Sequence, residues 1–335
     1  MVAISDVARL AGVSKSTASR ALSGSGYVSS ETRERVVRAA EELGFVASPI
    51  AAGLATGKTR NIAVAIPFVS RWFFGNVLEG IEESLLGMGY DMTLYNVEPA
   101  ADDRDRVFDF FLARKRFDGV IAVGIEPDER ELDRLTALQL PIVGVGNAVG
   151  AFPSYAIDDV REGARATEHL IALGHSRIAH VGGTYAERLP QSVHGKRLAG
   201  YRDAMAAAGL EASAQFVQTS MTMPGGYEAG IRLLGDARGH PTAVFAACDE
   251  VAVGVIIAAR RLGMSVPADL SVIGIDGHEY AEMFSLTTIE QEPKHQGAAA
   301  VSALLAALAG KPEEPGVRPV ATRLVLRSST TRPRS

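Results

Sequence analysis

A short polar and basic segment near the start of the chain carries the residues best suited to recognition chemistry. Drawn as a helix, it places Lys15, Ser16, Ser19 and Arg20 on the outward face, with small apolar side chains behind them. These side chains offer hydrogen-bond donors and positive charge, which is the chemistry that nucleic-acid recognition uses. The segment therefore predicts a surface suited to a nucleic acid.

Two short helices are needed to hold this face. Apolar residues between Ile4 and Ala11 recur at helical spacing, and Gly12 can end the first helix in the left-handed conformation. Ser14 is a suitable N-cap for a second helix from Lys15 to about Leu22. Two short helices joined by a tight glycine turn, the second with a polar outer face, are typical of a helix-turn-helix; a small helical pair inside a core is the alternative.

A third helix is predicted from Glu31 to Leu43, with Ser29 as its N-cap. The apolar stripe that would pack it on the first two helices consists of Val36, Val37, Ala40 and Leu43. Farther on, Ser48-Pro49 and Gly57 bracket a segment that is too short to be a stable helix by itself. We expect this segment to fold according to what it contacts, or else to be an ordinary linker.

The composition limits the class of protein. A chain of 335 residues is long enough for two or three domains. Residues 1–60 carry eight Lys or Arg against five Asp or Glu, so the remaining chain carries 26 against 34. No apolar run reaches the length of about 18 residues that a membrane span needs, and the first residues lack a signal-peptide core. With a lone cysteine, Cys248, these features predict a cytoplasmic protein with a basic head on an acidic body.

From Asn61 onward, apolar segments of strand length alternate with helical patterns. Strands are predicted at Asn61–Phe68, Asp91–Tyr95, Gly119–Val123, Pro141–Val145, Arg177–Val181, Gln215–Val217, Ala243–Ala246, Ser271–Ile275 and Leu324–Arg327. Helices are predicted at Phe74–Gly87, Arg104–Lys115, Pro127–Leu138, Val160–Leu173, Gly195–Ala208, Gly226–Leu234, Val251–Leu262 and Gln296–Ala309. This alternation predicts two α/β lobes with doubly wound parallel sheets, whose ligand sites lie beyond the carboxyl ends of the strands.

The chain resembles the LacI/GalR family of bacterial transcriptional regulators over nearly its whole length. The head follows the pattern Ile-x-Asp-Val-Ala-x-x-Ala-Gly-Val-Ser-x-x-Thr-x-Ser-Arg from Ile4 to Arg20. Further matches in the head and linker are Tyr27-Val28-Ser29, Thr32-Arg33, Leu43-Gly44-Phe45 and Leu54. Matches in the body are Glu168–His175, Arg197–Tyr201, Pro241–Phe245, Val266–Asp276 and Leu286–Ile289.

The resemblance implies a division into three parts. Residues 1–46 would be an all-α helix-turn-helix domain, residues 47–59 a hinge helix or linker, and residues 60–335 a two-lobed core like the periplasmic binding proteins. The first lobe would comprise about 60–158 plus 290–322, and the second about 159–289 plus 323–330. The family implies a homodimer on a pseudo-palindromic operator, with a small effector controlling DNA affinity. No leucine heptad follows Arg327, so we expect a dimer rather than a tetramer.

The resemblance also assigns roles to residues of the head. Lys15, Ser16 and Arg20 lie where the family reads base edges, and arginine can hold guanine O6 and N7 with two hydrogen bonds. Leu54 lies where a hinge leucine enters the minor groove and kinks the duplex. The positions that correspond to phosphate contacts are Ser14, Thr17 and Tyr27.

An effector cleft is expected where strand-end loops of the two lobes face each other. Arg197 and Asp276 match family positions that hydrogen-bond the ligand, and Phe73 and Phe74 lie where aromatic rings stack on it. The other candidates are Asn96, Met221 and Asp249. A carboxylate and a guanidinium opposite an aromatic face favour a sugar. A nucleobase remains an alternative, as does regulation by a phosphoprotein partner; for Phe73 and Phe74 a purely structural role in the core is the alternative.

Other functional classes are less well supported. Gly144–Gly150 has the wrong spacing for a dinucleotide loop, and there is no Gly-x-Ser-x-Gly elbow. The histidines show no metal-ligand spacing, so neither metal nor cofactor is predicted. A periplasmic sugar receptor would share the body but not the head. We therefore predict a transcriptional regulator rather than an enzyme or a transport receptor.

Overall fold

The computed structural model describes residues 2–23, 26–45, 58–97, 104–114, 116–183, 191–235 and 239–334. The predicted hinge, with Leu54, lies outside the described residues except for positions 58 and 59. Within the described ranges, no helix is both long enough and apolar enough to cross a bilayer.

The head consists of three helices around a small apolar core: α1 (Ile4–Leu10), α2 (Lys15–Ser23) and α3 (Ser30–Glu42). Gly12 connects α1 to α2 with a φ of +65°, which glycine adopts without a Cβ clash. Ser29 Oγ accepts a hydrogen bond from Thr32 N–H at 3.3 Å and caps α3. The prediction that Val37 belongs to the apolar stripe is wrong: it is 38% exposed, whereas Ala39 is buried.

The first lobe is built on a six-stranded sheet in the order β11-β5-β4-β3-β1-β2. Its strands are β1 (Asn61–Ile66), β2 (Asp91–Asn96), β3 (Gly119–Val123), β4 (Ile142–Val145), β5 (Pro153–Ala156) and β11 (Gly316–Pro319), all paired in parallel. The helices of this lobe are α4 (Trp72–Gly87), α5 (Glu129–Ala137) and α10 (Pro293–Leu308). Apolar side chains of α4 and α10 pack on one face of the sheet.

The second lobe repeats the arrangement with the order β12-β10-β9-β8-β6-β7. Its strands are β6 (Ile178–Gly183), β7 (Gln215–Thr219), β8 (Ala243–Ala246), β9 (Ser271–Asp276), β10 (Thr287–Glu290) and β12 (Arg323–Val325). Only β12 is antiparallel to its neighbour. The helices of this lobe are α6 (Asp159–Ala172), α7 (Val193–Ala207), α8 (Met223–Leu234) and α9 (Asp249–Arg261). The chain thus forms two doubly wound α/β lobes behind an α-helical head.

The structure corrects the predicted elements at four places. β5, β10 and β11 were not predicted, because their four residues are not continuous apolar runs like those of the equally short β4 and β8, and their burial depends on neighbouring strands. The predicted helix Arg104–Lys115 is instead a succession of an α turn (Arg104–Arg106), a π turn (Val107–Phe111) and a 3₁₀ turn (Leu112–Arg114). The spacing of apolar residues predicted a helical conformation but not the number of residues in each turn.

Candidate nucleic-acid interface and ligand cleft

The outward face of α2 is the first candidate site. Lys15, Ser16 and Arg20 are exposed there, whereas Ala18 and Ala21 behind them are buried in the core of the head. A helix that is packed from behind and carries donors in front can enter a groove of DNA without rearranging. Three of the residues predicted to contact DNA bases are thus exposed on the same helix.

Hydroxyl groups surround the beginning of α2. Ser14 Oγ accepts a hydrogen bond from Thr17 N–H at 3.1 Å, and it lies 2.8 Å from Thr17 Oγ1 and 2.9 Å from Ser16 Oγ. Tyr27, in the loop after α2, is 95% exposed. Short hydroxyl side chains at a helix N-terminus are suited to phosphate oxygens, which fix register and carry no sequence information.

The aliphatic part of Arg20 lies against Gly26. Gly26 has a φ of +75°, and a Cβ atom built on it would lie 3.3 Å from Arg20 Cδ and 3.8 Å from Arg20 Cγ. Any side chain at this position would press on the arginine. Gly26 therefore leaves the space in which Arg20 extends, and sequence reasoning missed this role because the two residues meet only through the loop.

Replacing Gly26 by alanine is expected to reduce the discrimination between specific and random DNA, because Arg20 is displaced. The matched control is Gly44→Ala: Gly44 has a φ of +60° but no atom within 4 Å of a built Cβ. Both variants should lose about 1 kcal/mol of stability from the left-handed backbone. Fluorescence anisotropy titrations on both kinds of duplex measure the ratio of affinities; equal ratios for the two variants would contradict the positioning role.

A second candidate site lies between the lobes, at the carboxyl ends of the parallel strands. Phe73 and Phe74 are half-buried in the first turn of α4, with ring centroids 5.3 Å apart in an edge-to-face arrangement. A Cβ atom on Gly124 would lie 2.5 Å from the ring of Phe74, and one on Gly146 would lie 3.3 Å from the ring of Phe73. Because these glycines follow β3 and β4, the two rings cover the strand ends of the first sheet.

Side chains at the start of α4 also contact the second lobe. Arg71 Nη1 donates a hydrogen bond to the Met221 carbonyl at 2.8 Å, and the ring of Trp72 stacks on His278 at 4.9 Å. Sequence analysis placed Met221 at this cleft but did not identify His278, since the contact joins residues from different lobes. Met221 itself is 9% exposed and belongs to the apolar core of the second lobe, so its contact with a ligand stays a prediction.

A buried charge cluster occupies the second lobe behind the cleft. Arg197 Nε donates to Asp159 Oδ1 at 2.8 Å, Arg197 Nη1 donates to the Ala247 carbonyl, and the same nitrogen lies 3.8 Å from Asp276 Oδ1. Burial opposes the charge of Arg197, but Asp159 and Asp276 outweigh it, so its pKa is raised. The structure brings the predicted pair Arg197 and Asp276 together and adds Asp159, which sequence analysis did not identify.

Asp276 is held in an unusual state at the end of β9. Burial raises its pKa to about 7, outweighing both the charge of Arg197 and the hydrogen bond that Gln291 Nε2 donates at 2.6 Å. Its φ is +129°, a backbone conformation rare for residues other than glycine. Strain of this kind persists only where surrounding contacts enforce it, and it is frequent at functional sites.

Asp249 holds the loop that follows Asp276. It is fully buried, and its Oδ2 accepts hydrogen bonds from Gly277 N–H at 2.9 Å and His278 N–H at 2.8 Å. The hydroxyl of Thr288 donates to both carboxylate oxygens, at 2.7 and 2.9 Å. Because both oxygens are occupied inside the lobe, we reassign Asp249 from the predicted ligand set to the loop that positions Asp276.

Asn96 is the remaining predicted cleft residue. It ends β2, the edge strand of the first sheet, lies opposite Ile66 in the register and is exposed. Its contact with a ligand stays a prediction. In the described part of the chain no group of three or more His, Cys, Asp or Glu side chains could hold a metal ion.

The Asp276→Asn variant is expected to change how stability depends on pH. The native pKa of about 7 lies above the unfolded value of about 4, so the contribution of this carboxyl is present below pH ~4 and is lost as the pH rises towards 7. An asparagine does not ionise, so the stability of the variant has no such dependence on pH at this position. The free energy of unfolding of wild type should therefore fall relative to that of the variant between about pH 4 and pH 7. Urea unfolding at about pH 5 and about pH 8 measures the difference; a pH-independent difference would contradict a titrating Asp276.

Comparison with known proteins agrees with this architecture. Residues 3–48 match "Bacterial regulatory proteins, lacI family", and residues 167–330 match "Periplasmic binding protein-like domain". The HTH-type transcriptional regulator DegA of Bacillus subtilis is 35% identical over 306 residues, 88% of each chain. The catabolite control protein A of Priestia megaterium is 32% identical and covers 98% of this chain and 99% of its own. The transcriptional repressor PurR of Vibrio campbellii is 34% identical, with 98% of both chains covered.

Solved structures show the same similarity. The Lac repressor dimer bound to operator and the anti-inducer ONPF superposes with a TM-score of 0.87 at 27% identity, covering 98% of this chain and 99% of that one. The complex of the transcriptional regulator CelR with cellobiose has a TM-score of 0.70 at 28% identity, covering 98% and 100%. A helix-turn-helix head on a two-lobed α/β core defines a transcriptional regulator. The chain belongs to the lacI family of these bacterial regulators.

Proposed function

We propose that this regulator is a homodimeric repressor that acts in the cytoplasm and binds a pseudo-palindromic operator. A small effector that binds between its lobes raises or lowers its affinity for that operator. The observation that carries the DNA-binding part is the exposed face of Lys15, Ser16 and Arg20 on a helix packed firmly from behind. Ser14, Thr17 and Tyr27 would contact phosphates beside it, and Leu54 would enter the minor groove at the operator centre.

The proposed effector is a carbohydrate. The half-buried rings of Phe73 and Phe74 offer an apolar face, and the nearby guanidinium–carboxylate pair of Arg197 and Asp276 offers forked polar partners. Relatives in the same fold have been solved with cellobiose and with ribose, at 28% and 27% identity. A nucleobase is the second candidate; the transcriptional repressor PurR of Vibrio campbellii is 34% identical to this chain.

DNA selection tests the first half of the proposal. The full-length protein should enrich a pseudo-palindromic duplex from a random-sequence library, and it should bind that duplex far more tightly than bulk DNA at a fixed physiological salt concentration. Enrichment of no sequence would refute operator binding. A single half-site bound at one protomer per duplex would refute the dimer.

A thermal-shift panel tests the effector. A ligand that binds only the folded protein raises its melting temperature with concentration. Mono- and disaccharides are expected to stabilise the full-length protein, and the active sugar should change its affinity for the selected duplex. Stabilisation by nucleobases alone would replace the carbohydrate assignment with the purine one. Whether the effector is a sugar or a nucleobase, it can regulate DNA binding only if it binds two conformations of the protein with different affinities.

A further inference from the structure

One carboxylate holds the chain where it enters the core from the linker. Asp118 Oδ1 accepts hydrogen bonds from Thr59 N–H at 2.7 Å and from the Thr59 hydroxyl at 2.9 Å, and its Oδ2 accepts one from Arg60 N–H at 2.9 Å. Asp118 is 9% exposed. Three donors from two consecutive residues on one nearly buried carboxylate fix both the position and the direction of this part of the backbone.

The backbone at this point is strained as well as bonded. Arg60 has a φ of +50°, in the left-handed region that residues with a side chain seldom adopt. Its carbonyl accepts a hydrogen bond from Asp91 N–H at 2.8 Å, and Asp118 N–H donates to the Asn61 carbonyl at 2.8 Å. The turn of the chain at Arg60 is therefore held by Asp91 of β2 and by Asp118, the residue before β3.

The two strands that begin here run to the ligand cleft. β1 starts at Asn61 and β3 at Gly119, and they pair in parallel. At the far end, about five residues or roughly 17 Å away, β3 is followed by Gly124 and its contact with Phe74. The paired strands β1 and β3 therefore connect the cleft directly to the carboxylate at the linker.

We propose that Asp118 is the joint that couples the core to the DNA-binding head, by fixing the position and direction of the backbone at Thr59 and Arg60, where the chain enters the first lobe. This inference rests on the proposed function, in which two heads and two linkers must meet the operator at once. Loss of the fixed direction would add orientational freedom that operator binding must remove, whereas contact of a single head with random DNA would not require it.

Asp118→Asn tests the joint, because the amide NH₂ cannot accept from the backbone donors. Asp128→Asn is the matched control: Asp128 Oδ1 accepts from Glu131 N–H at 2.7 Å in the same lobe, away from the linker. The variant should bind the duplex selected by wild type about 10-fold more weakly, with unchanged affinity for random DNA and a melting temperature like that of the control. Thr59→Val removes one of the three hydrogen bonds to Asp118, together with the one that Asn61 N–H donates to Thr59 Oγ1 at 3.3 Å. It leaves both backbone donors on the carboxylate, so its effect should be smaller.

Trypsin provides a local readout. Between Arg38 and Arg71 the chain contains only Lys58 and Arg60 as cleavage sites, one on each side of Thr59. Cleavage there should be several-fold faster in Asp118→Asn than in wild type or Asp128→Asn, because the backbone is no longer held.

The outcomes separate the joint from the function on which it rests. Wild-type affinity of Asp118→Asn for the selected duplex would overturn the inference and leave operator binding intact. An equal loss on random DNA, or a loss matched by a general fall in stability, would show a structural role and also overturn it. If wild type selects no duplex, the proposed function fails, and the joint fails with it.

Discussion

Replacing Arg20 by alanine is expected to lower operator affinity by about 1–3 kcal/mol per half-site, or roughly 5- to 150-fold, and to leave binding to random DNA nearly unchanged. Arg20 is exposed on α2, and its stem is held beside Gly26. A guanidinium in this position can bind guanine O6 and N7 together, which no other base pair offers in that arrangement. The loss should therefore be concentrated at one base pair of each half-site.

Thr17→Ala is the control for this experiment. Thr17 is only partly exposed, and its hydroxyl lies 2.8 Å from Ser14 Oγ at the beginning of α2, where phosphate oxygens are the expected partners. Its loss should weaken binding to operator and random duplex by similar factors. Anisotropy titrations at one salt concentration measure both ratios, since protein–DNA affinity depends steeply on salt. A uniform loss for Arg20→Ala would remove the base-reading role.

The second large effect is expected at the buried charge cluster. Asp159→Leu should lower the free energy of unfolding by about 3 kcal/mol, at the lower end of the range for breaking a buried ion pair, because Asp276 remains beside Arg197 and its ionisation is no longer opposed by the charge of Asp159. Asp159 and Arg197 are only 3% and 5% exposed, so water does not replace the lost partner. Urea unfolding of the full-length protein measures the change.

The double variant Asp159→Leu with Arg197→Met distinguishes charge from packing. When both partners become apolar, no uncompensated charge remains in the interior, so the double variant should be more stable than Asp159→Leu alone. Neither variant should respond to the effector, because Arg197 has lost either its position or its guanidinium. A double variant that is less stable than the single one would show that Arg197 contributes through packing and its hydrogen bond to Ala247.

Local signals in the sequence were sufficient to predict the head. The glycine at position 12, the caps at Ser14 and Ser29 and the helical spacing of the alanines predict α1 to α3, because each depends on hydrogen bonds and contacts within a few residues. Val37 is the exception. It follows Val36 by about 100° around the helix, and only the packed structure shows that Ala39 takes the inward position.

The alternation of strands and helices likewise predicted two parallel α/β lobes, since buried parallel strands are apolar throughout. It did not predict β5, β10 or β11, whose pairing is decided by neighbours distant in the chain. The spacing of apolar residues also could not predict that the segment from Arg104 to Arg114 changes from an α turn to a π turn and then to a 3₁₀ turn.

The residue types in the sequence by themselves determined the class of protein and the set of side chains available for recognition. The tertiary structure decided their roles: it turned Asp249 inward to hold the loop of Asp276, paired Asp159 with Arg197, and placed Asp118 on the chain at Thr59. The physical reason is distance along the chain. A carboxylate becomes a ligand contact, an ion pair or a backbone anchor according to the donors that folding brings to it, and these lie 29, 38 and 59 positions away.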